Sequence, residues 1–131
     1  MMKKILFSLF LSFALPLSVT FQIDMQEQFV SGNGVHLAGA DTLAQVSFGT
    51  YQDSLVAPWT PDQLMMEDID FDGVYSITLE LEENTVYAYK FLNGFEYELA
   101  NLDDRILQTA TDDIIVDVAS VSYTHLRAHE T

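Results

Sequence analysis

Cysteine is absent from the 131 residues, so neither a disulfide framework nor a thiolate metal centre is available and the fold must hold by burial alone. Basic side chains are scarce too: five Lys and Arg stand against twenty Asp and Glu, a formal net charge of −15. A field of that sign repels phosphate backbones and anionic membrane surfaces, so nucleic acid is not an expected partner. Helical periodicity is missing, since no window combines 3.6-residue apolar spacing with caps. Nothing matches G-x-S-x-G, H-E-x-x-H or a phosphate loop. The carboxylates are numerous, but a paired-acid glycosidase needs two acids held across a deep cleft, which a domain of about 100 residues rarely encloses. No catalytic residue, no cofactor and no enzymatic activity are expected.

Both ends differ in composition from the middle. Residues 1–18 open with Lys3 and Lys4 and run apolar from Ile5 to Leu17, the charged n-region and short h-region of a secretory signal. The run is shorter than the ~20 apolar residues a membrane span takes. The expectation is a cleaved leader, a secreted or cell-surface protein and no membrane association afterwards, with Ala14 and Ser18 as the small residues near the cut. Val121 to Thr131 (VSYTHLRAHET) has no strand periodicity and holds two of the three histidines. Back-translated, these residues resemble the adaptor end of a transposase-based sequencing library. They are read as a non-native tail, which makes the chain a C-terminally truncated piece of a longer protein. Between the ends, residues 19–120 keep two basic residues, Lys90 and Arg105, against nineteen acidic ones.

That middle is written in strands. Val19, Phe21, Ile23 and Met25 alternate with Thr20, Gln22 and Asp24, the period-2 pattern of a half-buried strand. Ser31-Gly32-Asn33-Gly34 supplies turn residues, and Val35 to Ala38 reads as a second strand. From Ala40 to Glu67 the pattern dissolves into a long loop, with Ala44 to Phe48 as a brief possible strand. Beyond the acidic turn DIDFDG (Asp68–Gly73), Tyr75, Ile77, Leu79 and Leu81 share one face. Across the turn at Glu82 to Thr85, Tyr87, Tyr89 and Phe91 share another, which makes a hairpin. Phe95–Leu99, Arg105–Thr109 and Ile114–Val118 give three more short strands. The fold class expected is all-β: an immunoglobulin-like antiparallel β-sandwich of about seven strands, one monomeric module within a larger chain.

Five segments in order, VTFQIDM (Val19–Met25), GVHLAG (Gly34–Gly39), DFDGVYSITLEL (Asp70–Leu81), YAYKFLNG (Tyr87–Gly94) and DRIL (Asp104–Leu107), resemble the starch- and glycogen-binding modules of carbohydrate-binding families 20 and 48. The resemblance implies a non-catalytic module that grips α-glucan, a polysaccharide partner, through two flat aromatics, a lysine and an asparagine. By position these roles fall on Trp59, Lys90 and Tyr97, and the asparagine's place is taken by Asp104. Asn93, in the NG turn after the YKF motif, is a further candidate donor. Residues 40–57 look like an insertion where the family has a short loop. A sugar ring offers a C–H face to an aromatic plane and hydroxyls to polar groups at the rim, so a neutral glycan needs no charged pocket. Such shallow contacts imply affinities of about −4 to −8 kcal/mol.

Each candidate also has a plainer role. Trp59 can be a lid over the core, and the resemblance favours the platform. Tyr97 alternates with Phe95 and Leu99, which assigns it to the core. Lys90 lies opposite the Tyr87/Tyr89/Phe91 face, where a solvated strand lysine is ordinary. Asp68, Asp70 and Asp72 open a D-x-D-x-D-G pattern and stand as calcium candidates, but the twelfth position is Leu79 rather than a bidentate glutamate, so an acidic hairpin turn is expected. His36 lies within a strand and is assigned neither a base's nor a ligand's role. The functional alternative is a structural spacer: an immunoglobulin-like domain without a ligand.

Overall fold

The structure, a computed structural model, describes residues 16–40, 49–52, 54–98, 103–116 and 119–120. Among them are eleven strands and no helix: β1 (Pro16–Asp24), β2 (Val35–Ala40), β3 (Thr50–Tyr51), β4 (Ser54–Leu55), β5 (Leu64–Met66), β6 (Val74–Glu82), β7 (Val86–Asn93), β8 (Glu96–Tyr97), β9 (Arg105–Gln108), β10 (Ile114–Ile115) and β11 (Ala119–Ser120). One sheet runs β10-β1-β6-β3-β4 with β11 also on β1, and the other runs β5-β2-β7-β8 with β9 also on β7. This is the all-β sandwich that the alternation predicts.

The core is where the period-2 residues of the two sheets meet. Val19, Phe21, Ile23 and Met25 of the first strand segment are buried, as are Ile77, Leu79 and Leu81 from β6 and Tyr87, Tyr89 and Phe91 from β7. Phe21 meets the Tyr89 ring edge-on at 5.0 Å, and Tyr89 stands perpendicular to Phe91 at 5.7 Å, the arrangement that the ring quadrupoles favour. The long β1·β6 ladder pairs Pro16 with Glu82 through to Asp24 with Val74. β10 and β11 join the other edge of β1 in parallel.

The stretch from Ala40 to Glu67 is more structured than its polarity suggests. It contains β3, β4 and β5, two or three residues each, too short to leave a periodic trace. The strand expected at Ala44 to Phe48 lies outside the described residues, as do residues 1–15 of the expected leader and the whole of the expected tail, 121–131. Pro16, Leu17 and Ser18 are already part of β1, and Leu17 is buried opposite Leu81. A cut after Ser18 would remove Leu17 from the core, whereas one after Ala14 would leave β1 whole.

β7 positions the site. Unlike β1 and β6 it is buried on both faces: Tyr87, Tyr89 and Phe91 face the core, and Ala88, Lys90 and Leu92 face away from it yet are also covered. β2 occupies one edge of β7 from Ala88 to Asn93, so β8 and β9 follow one another along the opposite edge. Gly39 permits the β2 contact, because a Cβ there would lie 2.4 Å from the Ala88 carbonyl oxygen.

Candidate functional site

On the outer side of this sheet Trp59, Lys90, Tyr97 and Asp104 line one shallow groove of about 340 Å³. They come from four separate parts of the chain: the loop before β5, the middle of β7, the end of β8 and the residue preceding β9. The two rings lie 6.3 Å apart with their planes inclined by 52°, a bent pair rather than a flat shelf. The Tyr97 hydroxyl donates to the Trp59 carbonyl oxygen at 3.3 Å. Burial pushes the Tyr97 phenol up, so it remains a hydroxyl donor through neutral pH. Trp59 holds a φ of 50°, the left-handed region that bulky residues rarely occupy. Such a conformation costs on the order of 1–3 kcal/mol and persists where the surroundings impose it.

Tyr97 departs from the core position that alternation assigns it. Its register partner is Leu92, on the face of β7 turned away from the core, so Tyr97 joins Lys90 on the groove side. Its neighbour Phe95 is 52% exposed. The residue that turns inward is Glu98, only 6% exposed. Alternation sorts side chains into two faces and does not say which face is the core.

Lys90 is not a solvated strand lysine: it is 6% exposed, and its Nζ donates to the Glu98 carbonyl oxygen at 3.3 Å. The Glu98 carboxylate accepts from Arg105 Nε at 2.7 Å and from Arg105 Nη2 at 2.9 Å, a two-pronged ion pair, and from the Phe91 amide at 3.0 Å. The Arg105 guanidinium lies 5.3 Å from the centre of the Phe91 ring. Sequence reasoning assigned Glu98 and Arg105 no role. The available signal was the cation count: both basic residues of 19–120 meet here, one lining the groove and one beneath it.

Asn93 belongs elsewhere. Its Oδ1 accepts from the Ser31 amide and its Nδ2 donates to the Phe29 carbonyl, both at 2.8 Å, so it ties the loop between β1 and β2 to the end of β7. It lines a different hollow, with Phe29, Asn33 and Phe95 among its walls. Changing Asn93→Ala is expected to lower stability by about 1–2 kcal/mol, the value of two hydrogen bonds, and to leave any ligand affinity at the Trp59 groove unchanged. Urea denaturation and a binding titration on the same variant check both halves.

The acidic turn is likewise separate. Carboxylate oxygens of Asp68, Asp70 and Asp72 lie within 4.8 Å of one another. Asp68 accepts from the Asp72 and Gly73 amides, and Asp72 accepts from the Val74 amide. Hydrogen bonding to Asp72 holds the Asp70 carboxyl above its ordinary value, and the Val74 amide holds Asp72 below. These three are the side chains in the turn that a cation would use. The twelfth position offers no fourth carboxylate, because Leu79 is a core residue. His36, buried in β2, bonds the Gly94 carbonyl through Nδ1 at 2.8 Å.

No protein-family model matches the sequence, and no curated protein matches it. Solved structures do. A glycoside hydrolase family 15 glucoamylase from Hypocrea jecorina aligns with a TM-score of 0.52 at 16% identity, covering 82% of this chain and 17% of the enzyme. A gamma-CGTase from alkalophilic Bacillus clarkii aligns at 0.46 and 15% identity, covering 81% of this chain and 15% of that one. The chain thus spans about a sixth of the glucoamylase's length, and at such identity the likeness is one of fold.

Proposed function

We propose that this chain is a non-catalytic carbohydrate-binding module that docks a larger secreted protein onto α-glucan. The observation that carries the reading is the convergence of Trp59, Lys90, Tyr97 and Asp104 on one groove, although they are distant in sequence. In that groove the Trp59 and Tyr97 rings receive the C–H faces of successive sugar units, and the incline between them suits a chain that curves, as α-1,4-linked glucose does. Lys90 serves as a donor to sugar oxygens, the Tyr97 oxygen, whose proton goes to the Trp59 carbonyl, accepts from a sugar hydroxyl, and Asp104 is an acceptor only. A fold shared with about a sixth of a glycoside hydrolase family 15 glucoamylase supports a starch-related reading.

Affinity electrophoresis of the full chain in gels containing amylose or glycogen tests the reading, with maltoheptaose calorimetry for the constant. Retardation with a Kd between about 1 µM and 1 mM is expected. No retardation in either gel returns the chain to the ligand-free spacer reading.

The charge adds a further expectation. Neutral glucan contributes no counterions, so its retardation should be nearly the same at low and high salt, whereas heparin, alginate and DNA should be excluded at low salt by the acidic surface. Retention on an anionic polymer, or glucan binding that collapses with added salt, would contradict it.

A further inference from the structure

The groove's side walls, Tyr97 and Asp104, are each the immediate neighbour of one partner in the ion pair beneath. β8 and β9 occupy the same edge of β7. Glu98, just after β8, and Arg105, the first residue of β9, are joined by bonds of 2.7 and 2.9 Å. Because neighbouring residues in extended chain point to opposite faces, fixing Glu98 and Arg105 on the inner side sends Tyr97 and Asp104 outward. The same carboxylate takes the Phe91 amide, where a regular ladder would use a backbone carbonyl, and the Glu98 carbonyl oxygen is turned to Lys90 Nζ. One buried side chain therefore ties together the three strands that present Lys90, Tyr97 and Asp104.

We propose that the Glu98–Arg105 pair is the positioning element of the groove, setting Tyr97 and Asp104 against Trp59 without touching the ligand. The proposal rests on the glucan reading for its affinity test and on ring geometry for its ligand-free test. An arginine fork is specific in a way a charge alone is not: it holds the carboxylate in one plane through two bonds, so Arg105→Lys keeps the charge and loses the alignment.

The test uses the full chain with Glu98→Gln and Arg105→Lys, each made with Tyr97 present and in a Tyr97→Ala background. Retardation by glycogen, the melting temperature and the emission of Trp59, the only tryptophan, are read for every variant. With Tyr97 present, Glu98→Gln is expected to weaken retention about tenfold or more, and in the Tyr97→Ala background by about twofold or less, since a residue that acts through Tyr97 has little left to lose. The melting temperature should fall equally in both backgrounds. Arg105→Lys gives the same pattern at smaller amplitude and replaces Glu98→Gln if the latter does not fold.

Without sugar, Glu98→Gln and Arg105→Lys should also shift Trp59 emission as the Tyr97 hydroxyl leaves the Trp59 carbonyl. Equal fold-losses in both backgrounds, or a lower melting temperature with retention and emission unchanged, would overturn the positioning role. If the unsubstituted chain is not retarded at all, the glucan reading falls, and the emission decides positioning alone: a shift upholds it and no shift rejects it.

Discussion

Replacing Trp59 by alanine is expected to abolish measurable retention by amylose and glycogen while leaving the fold intact. The indole is the largest flat surface in the groove, and Trp59 is the only tryptophan in the chain. Truncating a central aromatic anchor typically costs 2 kcal/mol or more, a factor of about 30 or more in Kd. Set against a total of about −4 to −8 kcal/mol, that moves a millimolar binder out of reach of gel retardation. Stability should change little, because Trp59 is a half-buried loop residue outside the core cluster. Trp59→Phe should retain part of the affinity, since a ring face remains. A Trp59→Ala variant that runs like the parent would sink the stacking mechanism.

Phe21→Ala should produce the largest loss of stability. Phe21 is fully buried in β1, paired with Ile77 and packed edge-on against Tyr89, so it joins the two sheets at their centre. Deleting a buried phenylalanine side chain costs about 3–5 kcal/mol through lost transfer energy and the cavity left behind. Domains of this size have about 5–15 kcal/mol in total and this one has no disulfide to fall back on, so a substantial unfolded fraction is expected at 37 °C. Urea unfolding should show the midpoint falling sharply with the slope unchanged. Glucan affinity per folded molecule should stay near the parent's, because Phe21 does not reach the groove. A midpoint shift worth less than about 1 kcal/mol would mean the sheets are not joined at this residue.

The two kinds of residue were legible to different degrees. Val19, Phe21, Ile23 and Met25 declare their strand through alternation, because one face meets the core and the other meets water. β7 hides its face, being covered on both sides, and so Lys90 reads as a surface lysine although it is buried. The short strands β3, β4 and β5 are fixed by pairing with neighbours and carry too few residues for a period to register.

At the groove, Trp59, Lys90, Tyr97 and Asp104 are marked by a family likeness, not by the local pattern of the chain. The alternation at Phe95, Tyr97 and Leu99 pointed the wrong way, because Glu98 takes the inner face once Arg105 neutralises it. That neutralisation is a tertiary fact, invisible in a window of five residues. Asn93 was drawn in by its place in the NG turn, but its amide group is committed to Phe29 and Ser31 on another side of the strand end.

The most direct measurement is a nitrogen-15 NMR titration of the full chain with maltoheptaose, following the Trp59 indole N–H and the backbone amides of Lys90, Tyr97 and Asp104. These signals should move together along one binding curve, with those of Phe29, Asn33 and Asp70 unmoved. Saturable shifts confined to the Phe29 hollow or the acidic turn, or no shifts at millimolar sugar, would contradict glucan binding at the groove.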